Sequence, residues 1–150
     1  MMNVLRLMYA YSLVLLQFAC LIYLIATGPI LASDVPTFLV QLFAILLAWS
    51  ALWRMSGSRW RAIPEPHPRA RLVTRGIYQR IRHPMYAALL LLGLSWLYNR
   101  YTAERGIALL VLFAVLLLKM IYEERALRKQ FGKTYEVYMR RTKRLIPMIF

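Results

Sequence analysis

The sequence predicts an all-α, multi-pass membrane bundle of about four transmembrane helices with a cytoplasmic C-terminal helical tail. Three observations carry this. Apolar residues make up 61% of the 150 residues and mean hydropathy is +0.51, more greasy surface than a soluble core of this size can bury. Long stretches of the chain are free of charge. The net charge of +14, from 20 Lys and Arg against 6 acids, gathers in the segments between and after those stretches. A basic chain of this length invites a nucleic-acid reading, but basic segments flanking membrane helices explain charge and hydropathy together, so no nucleic-acid partner is expected.

The first span is placed at about 7–31, where no charge falls between Arg6 and Asp34. It exceeds the roughly 20 residues a crossing needs. It is also too long for a signal peptide and lacks a clear small-residue cleavage site. A second span covers 35–55, with Trp49 and Trp53 near its end. The third and fourth, at about 84–99 and 106–122, are short. Flanking Arg100, Arg105 and Lys119 would snorkel, and Tyr98, Tyr101 and Tyr122 would anchor at the interfaces. The link "NRYTAER" makes them a helical hairpin. The chain is thus one membrane domain, with a loop at 56–83 and a tail at 123–150.

Eight arginines lie between Arg54 and His83 and nine Lys or Arg between Lys119 and Phe150, whereas the opposite loops carry few. The positive-inside rule puts both termini, the large loop and the tail on the cytoplasmic face. Cys20 stands alone, so no disulfide is expected. His67 and His83 are too far apart and too few for a metal site, and none is predicted. "IPEPHP" reads as a stiff connector with His67 an exposed loop residue.

Two segments carry the chemistry. In "RGIYQRIRHPMY", Thr74 and Gly76 suggest a turn before a short interfacial segment. Pro84 suits the first turn of the third helix and biases His83 towards an extended backbone. Arg82 and His83 then stand at a helix N-terminus, which favours anions. In the tail, the fourth helix continues to Phe131 and Gly132 breaks it. Glu124 shares a face with Leu127 and Phe131, with Glu123 at the edge of that face. A carboxylate on an apolar face needs a partner. An arginine from the loop, solvent, or a bound ligand would each serve. Tyr135 and Tyr138 read as packing or interfacial residues on spacing alone.

Taken together these residues resemble the isoprenylcysteine carboxyl methyltransferase family, whose relatives include the phospholipid N-methyltransferases. The matching positions are Gly76, Tyr78, Arg82-His83-Pro84 and Tyr86, then Glu123-Glu124, Leu127, Phe131-Gly132, Tyr135, Tyr138, Arg144 and Pro147. The match covers roughly the second half of the chain and departs from the pattern at Ile77, Ala88 and Lys143. The resemblance implies a membrane-embedded, S-adenosylmethionine-dependent methyltransferase acting on a lipophilic acceptor, a prenylcysteine-like carboxylate or a lipid group. It implies cofactor contacts from Tyr78, Arg82, His83, Pro84, Tyr86, Glu123, Glu124 and Tyr135, with Arg82 and Glu124 as the catalytic pair. Arg82 would fork onto a carboxylate and Glu124 would complement the cofactor's positive charge. A carboxylate acceptor needs no base; an amine would make His83 or a glutamate relevant. Two other readings stand beside it. One is an NADPH-dependent membrane reductase of a sterol-like lipid. The other is a non-enzymatic membrane subunit whose motifs cap helices and bind anionic lipid. Membrane lipids are partners under each reading, and oligomeric state is open.

Overall fold

The computed structural model describes residues 4–56, 71–147 and 149. Five α-helices make up the fold: α1 (Val4–Ala26), α2 (Val35–Met55), α3 (Pro84–Asn99), α4 (Ala103–Phe131) and α5 (Lys133–Arg141), with a 3-10 turn at Gly76–Gln79 before α3. The connector carrying His67 lies outside the described residues.

Each boundary has a local cause. α1 stops at Ala26 although the apolar run continues to Leu31, because Pro29 lacks an N–H and restricts Gly28 before it. Asp34 caps α2 by accepting from the Thr37 N–H at 2.9 Å, and Pro36 sits in its first turn. Pro84 opens α3 as expected, with His83 as its N-cap. α4 starts at Ala103, three residues earlier than the apolar run, because the Thr102 hydroxyl accepts from the Arg105 N–H. Gly132 ends it with φ +52, a conformation that favours glycine, and α5 turns back along the bundle.

α3 is the central helix. It packs chiefly on α2, contacts α4, and meets α1, which lies mainly along α4. Cys20, Leu21 and Leu24 of α1, Trp96 of α3, and Leu109, Leu112 and Leu116 of α4 form the buried core. Gly93 brings α3 close to α4, since a Cβ there would stand 2.7 Å from the Leu109 side chain; small residues at helix contacts serve this purpose in bilayers. Large apolar side chains such as Leu15, Phe43, Trp53 and Leu110 point outward, as a lipid-facing surface requires.

Three helices, α1, α2 and α4, are long and apolar enough to cross a membrane. At 16 residues α3 rises about 24 Å, short of the roughly 30 Å hydrocarbon layer. The described residues therefore support three such helices and an accompanying shorter one.

Of the three cations expected to snorkel, Arg105 and Lys119 do not. Arg105 is 1% exposed. Its guanidinium donates to Leu24 O at 2.8 Å and Thr27 Oγ1 at 2.6 Å, and to Trp96 O at 2.7 Å. Those carbonyls belong to the last turns of α1 and α3, where orphan acceptors and the negative dipole end favour a cation. Gly28 leaves the room, since a Cβ there would stand 2.7 Å from the guanidinium. The same turn is tied down further by Trp96 and Gln41, which both donate to Ile30 O. Lys119 is likewise buried and donates to Gln17 Oε1 of α1 at 2.6 Å. Snorkelling lost because interior acceptors were closer than water.

Replacing Arg105 with Ala is expected to lower stability by about 3 kcal/mol, given two or more lost charge-assisted hydrogen bonds. Arg105→Lys is expected to recover less than half, because a point charge cannot bridge two helix ends. Thermal unfolding in detergent, read by tryptophan fluorescence, checks both; wild-type stability in Arg105→Ala would refute the double cap.

Candidate functional site

At the opposite end of the bundle the loop segment and the tail are stitched together by backbone. Arg82 N–H donates to Lys143 O at 2.7 Å, His83 N–H to Arg144 O at 3.0 Å, and Lys143 N–H to Arg80 O at 3.1 Å, forming a parallel bridge of Ile81 with Lys143. Tyr138 of α5 adds a hydroxyl bond to Tyr78 O at 2.8 Å. Gly76 begins this segment at φ +65, with the Arg54 side chain packed against its open face.

This stitching delivers side chains to Glu124, which is 2% exposed on α4. Arg82 Nε donates to Oε1 at 2.9 Å, and Arg144 donates Nη2 to Oε2 at 2.9 Å with Nε shared between both oxygens. His83 Nε2 lies 3.4 Å from Oε1. The rest of the Arg82 fork is turned onto the end of α5: Nη1 donates to Met139 O at 3.2 Å and to Thr142 O. Glu124 thus found the loop arginine anticipated for it, and a second arginine from the tail.

Glu123 faces a neighbouring set. Its Oε1 accepts from the Tyr86 hydroxyl, and its Oε2 stands 3.5 Å from His83 Nδ1. The His83 ring therefore spans the two glutamates, one at each nitrogen, and it stacks on Tyr86 with planes 10° apart and centroids 5.5 Å apart. Lys119 also lies over the Tyr86 ring, its ammonium 5.2 Å from the centroid.

Tyr135, on α5, is 1% exposed and packs at 5.9 Å against Tyr138. Its hydroxyl is buried with no partner among the described residues, although Glu124 and Arg82 are close enough for both charges to act on it. Burial first, then Glu124, pushes the Tyr135 hydroxyl well above the usual tyrosine range. Burial does the same to Tyr78 and Tyr138. All three stay protonated, and Tyr138 donates to Tyr78 O. Glu124 raises Arg144 above the ordinary arginine value.

The structure thus gathers Arg82, His83, Tyr86, Glu123 and Glu124 into one cluster. Tyr78 and Tyr135 stand beside it, and Pro84, fully buried, starts the helix that carries it. Three further participants were not among the predicted site residues. Arg144 stood in the matching tail motif and Glu124 needed a cation, so a signal for it existed. Lys119 and Gln17 had none, because their proximity depends on how α1 crosses α4.

A bundle with membrane-length helices and a buried ion-paired site at one end defines a class of integral membrane proteins with an acid, base and aromatic cluster at the bundle mouth. Residues 34–134 match the model of the phospholipid methyltransferase family, more than half of the chain, and the chain belongs to that family. It is also similar to methanethiol S-methyltransferase 2 of Bradyrhizobium diazoefficiens, at 35% identity over 74 residues. That match spans 49% of this chain and 28% of the relative's length.

Glu124→Gln is expected to destabilise the protein by roughly 3 kcal/mol, because removing one member of a buried charge group strands the others. Limited proteolysis should then cut within 71–83 or 132–147 far faster than in wild type. Equal protease resistance would show that the stitched backbone holds without the ion group.

Proposed function

We propose that the protein is a membrane-embedded, S-adenosylmethionine-dependent methyltransferase acting on a lipophilic acceptor at the cytoplasmic membrane face. The acceptor is a prenylcysteine-like carboxylate, a thiol or another lipid group. Family membership supports the reaction class. The basic loop and tail, which share one end of the bundle, support the cytoplasmic assignment. In this reading α3 is a fourth, shorter membrane helix whose N-terminus stops within the layer.

The residues suit the donor. S-adenosylmethionine supplies a methyl group activated on a sulfonium when bound. Its amino acid end carries one ammonium and one carboxylate, and its nucleoside offers a ribose and a flat ring. The cluster offers acidic, cationic and aromatic groups in the same small volume: Glu123 and Glu124, Arg82 and Arg144, Tyr78 and Tyr86. The observation that carries the reading is the buried Tyr135 hydroxyl beside this cluster, which has no partner among the described residues. Buried hydroxyls are nearly always paired, so a ligand atom is its natural complement.

The chain's part in the reaction is alignment and water exclusion. The Arg82 fork, engaged by Glu124 and the end of α5, holds loop and tail in register. Arg144, whose side chain is the more exposed of the two at 30% against 8%, is the better placed to meet a ligand carboxylate. The glutamates complement positive charge, and His83, braced between them, fixes their spacing. Tyr86 and Tyr135 wall the site.

Calorimetry with S-adenosylmethionine on the detergent-purified protein tests this. Saturable binding to wild type is expected. Tyr135→Phe should bind about five- to tenfold more weakly, the worth of one hydrogen bond, while melting no lower than wild type because it loses a buried hydroxyl that has no partner among the described residues. Folded wild type that binds no S-adenosylmethionine would refute the proposal.

A further inference from the structure

We propose that the cavity between the end of α2 and the stretch ahead of the 3-10 turn is a binding site for the phosphate of an anionic phospholipid. It is separate from the cluster around Glu124 and goes beyond the methyl-transfer reading, on which it does not depend.

The lining is the first argument. The cavity measures about 250 Å³ and is bordered by Arg54, Leu72, Val73, Thr74 and Arg75. Arg54 comes from the last turn of α2, and the other four from the stretch that leads into Gly76. Two arginines and a threonine, all exposed, thus border one space. None of the three has a hydrogen-bond or ion-pair partner among the described residues. Neither 35–56 nor 71–83 contains an acid, so the two stretches that form the cavity bring no carboxylate of their own to it.

The seating of Arg54 is the second. Gly76 stands at φ +65. A Cβ there would lie 2.8 Å from Arg54 Nε and 3.4 Å from its Cγ and Cδ. The arginine therefore lies across the bare Cα of the glycine, which restrains a long and otherwise free side chain. Glycine at 76 serves the turn and the arginine together. A side chain restrained before binding loses less entropy when its ligand arrives.

Depth and lining together identify the ligand. Trp49 and Trp53, in the last two turns of α2, are exposed, and indole rings on membrane helices settle at headgroup level. Arg54 follows directly, so it meets the layer where lipid phosphates lie. Planar guanidinium groups take phosphate oxygens in pairs. A headgroup with net negative charge offers them more than one whose own ammonium cancels it. Leu72 and Val73 give the cavity an apolar wall, which suits the glycerol and first methylenes of a lipid better than free phosphate.

Occupation has a consequence for the site. The 3-10 turn packs on α2, and its Tyr78 carbonyl accepts the Tyr138 hydroxyl at 2.8 Å. A phosphate held by Arg54 on one side and by Thr74 and Arg75 on the other ties α2 to the segment that carries Arg82 and His83. The lipid thus stiffens the mouth of the bundle without entering the cluster.

The test is thermal unfolding of the full-length protein in zwitterionic detergent. The protein is titrated with dioctanoylphosphatidylglycerol, dioctanoylphosphatidylcholine or glycerol 3-phosphate, since a ligand of the folded form raises the melting temperature. Phosphatidylglycerol is expected to half-saturate at about tenfold lower concentration than phosphatidylcholine, the worth of one charge-assisted hydrogen bond. Glycerol 3-phosphate at matched concentration should give no rise. Arg54→Gln and Arg75→Gln, both at exposed positions outside the cluster, should each erase the difference between the two lipids. Arg140→Gln combined with Arg141→Gln removes two exposed charges from α5 and should leave that difference in place. Its loss in this control would reveal diffuse attraction and overturn the site, as would an equal response of wild type to both lipids or an unchanged preference in both cavity variants. A rise with glycerol 3-phosphate as large as that with phosphatidylglycerol would overturn the lipid assignment in favour of a soluble phosphate ester.

Discussion

The carboxylate of Glu124 is the point on which this end of the molecule hangs. A charge at 2% exposure on a largely apolar helix is tolerable only if its partners are fixed, and they come from two distant stretches of chain. Arg82 and His83 precede α3, and Arg144 follows α5. Holding all of them requires the loop segment and the tail to lie side by side, which the Ile81–Lys143 bridge accomplishes. Both arginines meet Glu124, while Glu123 is held by Tyr86 and by the His83 ring that spans the two acids. Stability and site geometry are therefore the same problem here. The residues that hold the tail in place are also those that give the cluster its charge.

The two ends of the bundle use buried arginine in the same way and to different ends. Arg105 closes the last turns of α1 and α3, and Arg82 closes the last turn of α5. In each case carbonyls without intrahelical partners meet a planar cation whose several N–H groups serve two elements at once. Around Arg105 the contacts are backbone carbonyls and a threonine, and the result is a closed structural knot. Around Arg82 a glutamate joins, followed by a histidine, a second glutamate and a tyrosine, and the knot acquires chemistry.

Much of this was legible in the residues. Pro84 announced the start of α3 and Gly132 the end of α4, because proline and glycine act locally on the backbone. Glu124 declared its need for a partner through the apolar positions Leu127 and Phe131 on its face. What was not legible depends on contacts between distant segments. A cation flanking an apolar run looks the same whether it snorkels or turns inward. For Arg105 the answer lay in carbonyls of α1 and α3, and for Lys119 in Gln17, 102 residues away. The pairing of Arg144 with Glu124 needed the chain to reverse at Gly132 and return, a matter of angle that spacing does not encode. Nor did the apolar runs foretell that α1 would stop five residues short of its run's end.

The shortness of α3 ties these features to a membrane setting. Its C-terminus is joined to the start of α4 by residues 100–102 alone, so the two helices leave the same level. From there α3 rises about 24 Å to Pro84, and α4 reaches Lys119 at about the same height before continuing past Glu123 and Glu124. With that shared level set at one surface of a hydrocarbon layer roughly 30 Å thick, the N-terminus of α3 ends inside the layer. His83 and Tyr86 are then recessed, facing Lys119 and Glu123 at the depth where acyl chains meet headgroups. A longer third helix would carry His83 and Tyr86 past the level of Glu123 and Glu124 and break the cluster. The truncated helix places polar chemistry below the surface, and the ion pairs around Glu124 are what make that depth energetically tolerable.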